Sequence, residues 1–310
     1  MPIRRIYNII KANPFKRLKD RYRNLKEIEG FRKKTKMIYE IATIFYKSFI
    51  GQHPVVIYQM GKVGSSTIYS TIKQLSRNPV FQVHFLRKAE VERIQKKYET
   101  AGLKEEYMHV THSKIISNFV NKKYGLRWHI ITVVRDPLVV KLSYLFHNPR
   151  LHKKFLFDEN GVIDPNKALS IASQMINDLN PETDYVYNWI DNEFKNYLAI
   201  DVFDYPFDKK KGYEIINHDG NTILIIQTEA INNNLIQAIK EMNLTTVKNI
   251  EIKISNENFN KEFSEIYSFV KNNLRLSPQK AREIYENKYV RHFYTDEFIA
   301  DKINFWSNRN

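Results

Sequence analysis

The stretch Pro54-Val-Val-Ile-Tyr-Gln59, running straight into Met60-Gly-Lys-Val-Gly-Ser-Ser-Thr67, decides how this chain is to be read. Its first half is a short run of β-branched and aromatic residues, the composition of a buried strand. Two glycines interrupt the run, and a helical pattern follows from Ile68 to Leu75. Strand, glycine loop and helix, in that order, leave free N–H groups at a helix N-terminus, where an anion is bound. Gly61 and Gly64 let the backbone approach an anion without a Cβ in the way. Lys62 adds a mobile positive charge, Val63 a backbone donor, and Ser65, Ser66 and Thr67 add hydroxyls together with the first helical amides. The order is not that of a Walker A loop, because Lys62 precedes the second glycine instead of following it. A plain glycine turn with a serine N-cap would use the same residues, contribute about 1 kcal/mol and carry no function. The loop therefore needs a second feature beside it.

Outward from this stretch the chain keeps an α/β rhythm. Apolar runs at Val80–Leu86, Tyr107–Thr111, His129–Val134 and Thr222–Gln227 alternate with helical stretches such as Lys88–Tyr98 and Ser113–Tyr124. Buried strands alternating with helices predict a P-loop-like three-layer α/β sandwich with a central, mostly parallel sheet. Residues 53–310 form this domain in the reading, with a polar helical insertion over about 144–200. Phe259 to Trp306 reads as helix again, Ser277-Pro278 supplying a start signal.

The second feature is Trp128-His-Ile-Ile-Thr-Val-Val134, which runs into Arg135-Asp136-Pro137, with Ser143 eight residues after the arginine. A charged triplet at the C-terminal end of a buried strand lies at the edge where open parallel sheets bind ligands. Arginine presents a planar fork matched to phosphate oxygens, and a serine on the next helix can complete the cradle. A salt-bridged strand end with proline opening a helix would account for the triplet alone. Two such loops on one sheet suggest a ligand with phosphates at both ends.

Composition removes several classes. The chain has 310 residues, 43% of them hydrophobic, enough to bury a core and to exclude disorder. With no cysteine, a disulfide framework, thiolate catalysis and Cys-ligated metal are excluded. The net charge of +15 is unevenly placed: residues 1–50 hold 14 Lys+Arg against 4 Asp+Glu, or +10, leaving +5 for the rest. Residues 1–52 read as a basic amphipathic helical extension, with Ile3, Ile6, Tyr7, Ile9 and Ile10, then Phe15, Leu18, Tyr22 and Leu25, at helical spacing around Pro14. Such a helix can lie on an anionic membrane surface or simply be solvated. No secretory signal and no spanning segment is expected, Met37 to Ile50 being too short and charged. No series of aromatic residues interleaved with basic ones predicts a nucleic-acid platform.

Together these elements resemble the sulfotransferases that use 3′-phosphoadenosine 5′-phosphosulfate (PAPS). The 5′-phosphosulfate loop of that family is similar to Gln59-Met-Gly-Lys-Val-Gly-Ser-Ser-Thr67, and its 3′-phosphate element to Arg135 and Ser143. More narrowly the chain resembles the bacterial capsular polysaccharide synthesis proteins. That likeness rests on Val83-His-Phe-Leu86, Asp201-Val-Phe-Asp-Tyr-Pro-Phe207 with Gly212-Tyr213, Ile225-Ile-Gln-Thr-Glu229 and Tyr289-Val-Arg-His-Phe-Tyr294. It spans about residues 53–306 and leaves out the basic first 50.

The resemblance implies a PAPS-dependent transfer of a sulfuryl group to a saccharide hydroxyl, by in-line displacement and with no metal. Lys62 is then the catalytic partner of the leaving group, with Gly61, Val63, Gly64, Ser65, Ser66 and Thr67 around the 5′ end and Arg135 with Ser143 on the 3′-phosphate. His84 and His112 are the two candidate general bases, His84 slightly preferred, with His109 a weaker third. Arg291 and His292 could line a site; Lys209, Lys210 and Lys211 could draw an anionic saccharide, and Glu229 could cap a helix or line the pocket. The expected partners are a saccharide or polysaccharide acceptor and, through the arm, the inner face of an anionic cytoplasmic membrane. Against this stand a non-catalytic or nucleic-acid-binding protein acting through its basic arm, and a nucleotide kinase.

Overall fold

A computed structural model describes residues 52–100, 108–120, 127–147, 163–245 and 261–307, together with Ile252 and isolated positions between 35 and 50. Five strands, β1 (Val55–Tyr58), β2 (Val80–Val83), β3 (His129–Val134), β4 (Tyr213–His218) and β5 (Asn221–Gln227), form one sheet in the order β2-β1-β3-β5-β4. All pairings are parallel except β4 with β5. From residue 52 onward, the described helices begin with α1 (Ser65–Leu75), α2 (Lys88–Thr100), α3 (Met108–Val120), α4 (Pro137–His147), α5 (Pro165–Asn177) and α6 (Tyr185–Ile190). A π-helical segment, Asp191–Leu198, continues α6. The remaining helices are α7 (Ile231–Glu241), α8 (Lys261–Asn273), α9 (Pro278–Tyr285), α10 (Lys288–Phe293) and α11 (Asp296–Ser307).

Every residue of β1 and all but the first of β3 are buried, as expected where helices cover a parallel sheet on both faces. Strand register assigns the covers. Gln82 lies opposite Ile57, and its side-chain amide donates to Ser65 Oγ at 2.8 Å, so α1 lies on that face. Tyr58 has the opposite parity; its ring stacks on Phe194 at 5.2 Å and meets Trp189 edge-on at 5.1 Å. The second face is therefore covered by α6 and the π-helical segment. The sequence reading of a mixed α/β chain around a mostly parallel sheet matches this arrangement.

Three local expectations are corrected. Of the run Tyr107–Thr111, read as a strand, residues 108–111 are the start of α3, and Tyr107 lies outside the described residues. A short apolar run has no period of its own. Here Val110, Ser113, His112, Ile115 and Ile116 are buried at helical spacing, against the outer edge of β2. The expected strand Val80–Leu86 ends at Val83, because the next residues turn toward buried Glu193, which accepts from the Leu86 amide at 3.1 Å and from Arg87 Nε at 2.9 Å. Strand β4 was not expected; it pairs with β5 through a tight turn whose Asp219 and Gly220 both have positive φ, 48° and 78°.

The amphipathic helices expected within residues 3–25 lie outside the described residues. Further along the same extension, Ile44 is fully buried in the main core. Ser277 does start α9, its hydroxyl accepting from Lys280 N with Pro278 in the first turn.

Candidate functional site

The C-terminal ends of β1, β3 and β5 bring the two sequence features together. After β1 the chain turns through Lys62 and Gly64, both in the left-handed region at φ 67° and 85°. For Lys62 this is a strained geometry, tolerated where the surroundings enforce it. Gly61 is pinned from above: a Cβ there would lie 2.7 Å from the hydroxyl of Tyr144 on α4, which is itself hydrogen-bonded to the Gly61 backbone. Across the loop, the Thr228 hydroxyl lies 2.8 Å from the Val63 carbonyl and 3.2 Å from that of Val134, tying the loop to the ends of β3 and β5.

Helix α1 begins at Ser65 with Gly64 as its N-cap, no side chain capping it and no acidic residue in its first turn. Its leading amides are thus open to an external acceptor. Ser65 is buried and its Oγ is taken by Gln82; Ser66 is exposed; Thr67 is buried, its amide bonded to the Gly64 carbonyl at 3.2 Å. Arg135, just beyond β3, donates from Nη1 to the Lys62 carbonyl at 2.7 Å. Its other guanidinium donors remain for a ligand. Among the described residues neither Lys62 nor Arg135 makes an ion pair. Partial burial first, and the Arg135 charge second, push the Lys62 ammonium down to about 7. An anion placed between them would reverse that cost. Ser143, one helical stretch further along α4, is buried and hydrogen-bonded to Tyr267 of α8.

Asp136, between Arg135 and Pro137, has a different task. Its Oδ1 accepts from the Leu138 and Val139 amides, capping α4, and from the Tyr285 hydroxyl at 2.9 Å, while Lys302 Nζ lies 3.3 Å from Oδ2. The triplet is thus divided between a strand-end structural acid and an arginine turned to the loop. Tyr289 of α10 holds that arginine's backbone: its hydroxyl lies 3.1 Å from both the Arg135 amide and the Arg135 carbonyl.

The two histidines part company. His84 follows β2 beside the loop, with Nδ1 2.9 Å from the Gln59 carbonyl. A carbonyl only accepts, so Nδ1 carries the proton and Nε2 keeps a lone pair. Burial, with Lys62 contributing, pushes His84 down to about 4, leaving it neutral at ordinary pH. Its backbone carbonyl accepts from Trp189 Nε1 at 3.0 Å, and Glu193 holds the next residues, so α6 and the π-helical segment together clamp this turn. The His109 ring, on α3, lies 4.5 Å from that of His84 and is pushed down to about 3 by burial and neighbouring cations and imidazoles. His112 is buried with Nδ1 accepting the Gln82 amide at 3.0 Å, a seal on the outer edge of β2. Neutral His84, close to Lys62, has the chemistry of a base; His112 is occupied by the edge strand. Sequence reasoning missed Tyr144, Thr228, Tyr289 and Glu193, all distant in the chain from the loops they hold. Of these, Thr228 and Tyr289 lie in the stretches that carry the capsular likeness.

Among the described residues no group of three His, Asp or Glu could hold a metal ion, and no helix is long and apolar enough to cross a membrane. The class defined by fold and site is a mixed α/β protein whose sheet edge presents Lys62 and Arg135, without an ion pair among the described residues, at an open helix N-terminus. Residues 160–295 match the model of a family described as "Putative capsular polysaccharide synthesis protein". This similarity covers less than half of the chain, taking in α5 to α10 and β4–β5 but neither the 60–67 loop nor Arg135. No curated protein and no solved structure was found to match.

Proposed function

We propose that the protein is a PAPS-dependent sulfotransferase acting on a saccharide hydroxyl in capsular or cell-surface polysaccharide synthesis. The observation that carries the reading is the Lys62–Arg135 pair, without an ion-pair partner among the described residues, at the uncapped N-terminus of α1. The family similarity supports a saccharide as the other substrate. The residues fit a bisphosphate-bearing donor: an open helix end, a left-handed glycine, a desolvated ammonium and a guanidinium with donors to spare.

PAPS would supply an activated sulfuryl group whose leaving side is a phosphate. Lys62 and the amides at Gly64 to Ser66 would hold the oxygens of that leaving side, where negative charge develops during transfer. Arg135, braced by Tyr289, and Ser143 would hold the second phosphate. His84 Nε2 would take the acceptor hydroxyl's proton as its oxygen bonds to sulfur and the sulfur–phosphate oxygen bond breaks. The basic extension would place the enzyme at an anionic membrane face, near glycan assembly.

Thermal denaturation of the full chain tests the donor site. Adenosine 3′,5′-bisphosphate without metal is expected to raise the melting temperature, by an amount that grows with its concentration. Stabilisation by ADP with magnesium alone, and none by the bisphosphate, would overturn the reading in favour of a kinase.

A further inference from the structure

A second cluster lies at the same sheet edge and is not used by the chemistry above. Because β4 runs antiparallel to β5, with Tyr213 opposite Ile226, the loop that enters β4 sits at the C-terminal end of the parallel strands. That loop carries Lys209, Lys210 and Lys211. Facing it is α10, whose Tyr289 and Phe293 pack inward while Lys288 and His292, four residues apart, lie toward Phe203. Lys288 Nζ sits 3.9 Å from the centre of the Phe203 ring, and the His292 ring 5.1 Å from it; Phe207 lies 6.4 Å from His292.

Asp201 and Asp208 are engaged by other groups, Asp204 is exposed, and the Asp201 charge also acts on Lys288 and His292. Asp201 pairs with Lys195 and accepts the Phe203 amide; Asp208 accepts the Lys210 and Lys211 amides. Lys211 pairs with Glu241, and Arg291 with Glu286. Lys209 and Lys288 are left without an ion pair among the described residues, and both push His292 below its ordinary value, after burial. His292 Nε2 is buried with no hydrogen-bond partner among the described residues. Two ammonium groups without an ion pair among the described residues, one over an aromatic face, together with half-buried rings and a buried imidazole nitrogen, are suited to a ligand with both flat apolar faces and negative charge. The same helix that carries Lys288 and His292 braces Arg135 through Tyr289, and the whole cluster lies within the residues similar to the capsular polysaccharide family.

We propose that Phe203, Phe207, His292, Lys209 and Lys288 form an acceptor subsite for a carboxylated saccharide, the carboxylate held between Lys209 and Lys288. This names the acceptor class and rests on the sulfotransferase reading for the claim that the bound chain is an acceptor. Its binding is separable from transfer.

The test is calorimetric titration of the full chain with a hexasaccharide of alternating glucuronic acid and N-acetylglucosamine, and with its carboxyl-reduced counterpart. The acidic form is expected to bind tighter by about tenfold or more, and Lys209→Gln/Lys288→Gln to lose that preference while adenosine 3′,5′-bisphosphate affinity stays unchanged. Equal binding of the two hexasaccharides by the wild-type chain, or a preference that survives in the double variant, overturns the subsite. If the preference is seen but the bisphosphate does not bind, the subsite stands and the sulfotransferase reading falls.

Discussion

Lys62 is close enough to His84 to lower its proton affinity, and the opposite needs the proposed reaction places on the two set an expected pH profile. His84 must be neutral to accept a proton, a form that is lost only as pH falls through about 4. Lys62 must be charged to meet a leaving phosphate, a form that is lost as pH rises through about 7 in the free enzyme. The expected kcat/KM for PAPS is therefore highest between those limits. Lys62→Arg should remove the alkaline limb, since arginine does not deprotonate in this range; a limb unmoved in that variant assigns it to another group. His84→Ala should lower kcat by about 10²-fold or more with bisphosphate binding intact, while His112→Ala should act chiefly on stability. If the two variants lose turnover alike, the distinction drawn from Nδ1 of each ring is wrong. Sequence alone gave His84 only a slight preference over His112, because which ring nitrogen is engaged depends on partners at Gln59 and Gln82 that spacing does not reveal.

At the scale of elements, short connecting segments carry the strain and the buried charge. Gly64 stands at φ 85°, and a Cβ there would meet Ile231 and Thr228 at 3.4 and 3.5 Å, so space is adequate and conformation is the obstacle. Gly64→Ala is expected to cost about 1 kcal/mol in urea denaturation, from the left-handed backbone alone. Asp136→Ala removes a helix cap, the Tyr285 bond and the Lys302 ion pair at once, with an expected loss of about 3 kcal/mol. A loss under 1 kcal/mol would show that water replaces the carboxylate. The Asp219-Gly220 pair between apolar runs is a strong hairpin signal written in neighbouring residues. The π-helical segment carried no such signal. Its geometry follows from seating Glu193 between Tyr58, Leu86 and Arg87, a set of contacts over 100 residues apart in the chain.

For the whole molecule, charge separates into an arm and a body. Residues 1–33 hold 11 Lys+Arg against 3 Asp+Glu, whereas Ile44 is part of the core, so the arm is best removed ahead of residue 34. The full chain is expected to co-sediment with vesicles containing anionic lipid at low salt and to be released as salt rises. The chain lacking residues 1–33 is expected to stay in solution. Equal sedimentation of both would mean that the arm plays no part in membrane contact.

The sequence by itself determined the α/β class, the helical start at Ser277-Pro278 and the two anion-suited loops, because each is written in neighbouring residues: strand composition, glycine placement and a proline after a cap. Only the tertiary structure decided that residues 108–120 are helix, that Asp136 braces α9 and α11 while Arg135 turns to the Lys62 carbonyl, and that His84 lies beside the loop while His112 Nδ1 is taken by the edge strand. Those outcomes depend on partners brought together across the fold, and the strength of a buried charge or hydrogen bond is set by what surrounds it, not by its place in the chain.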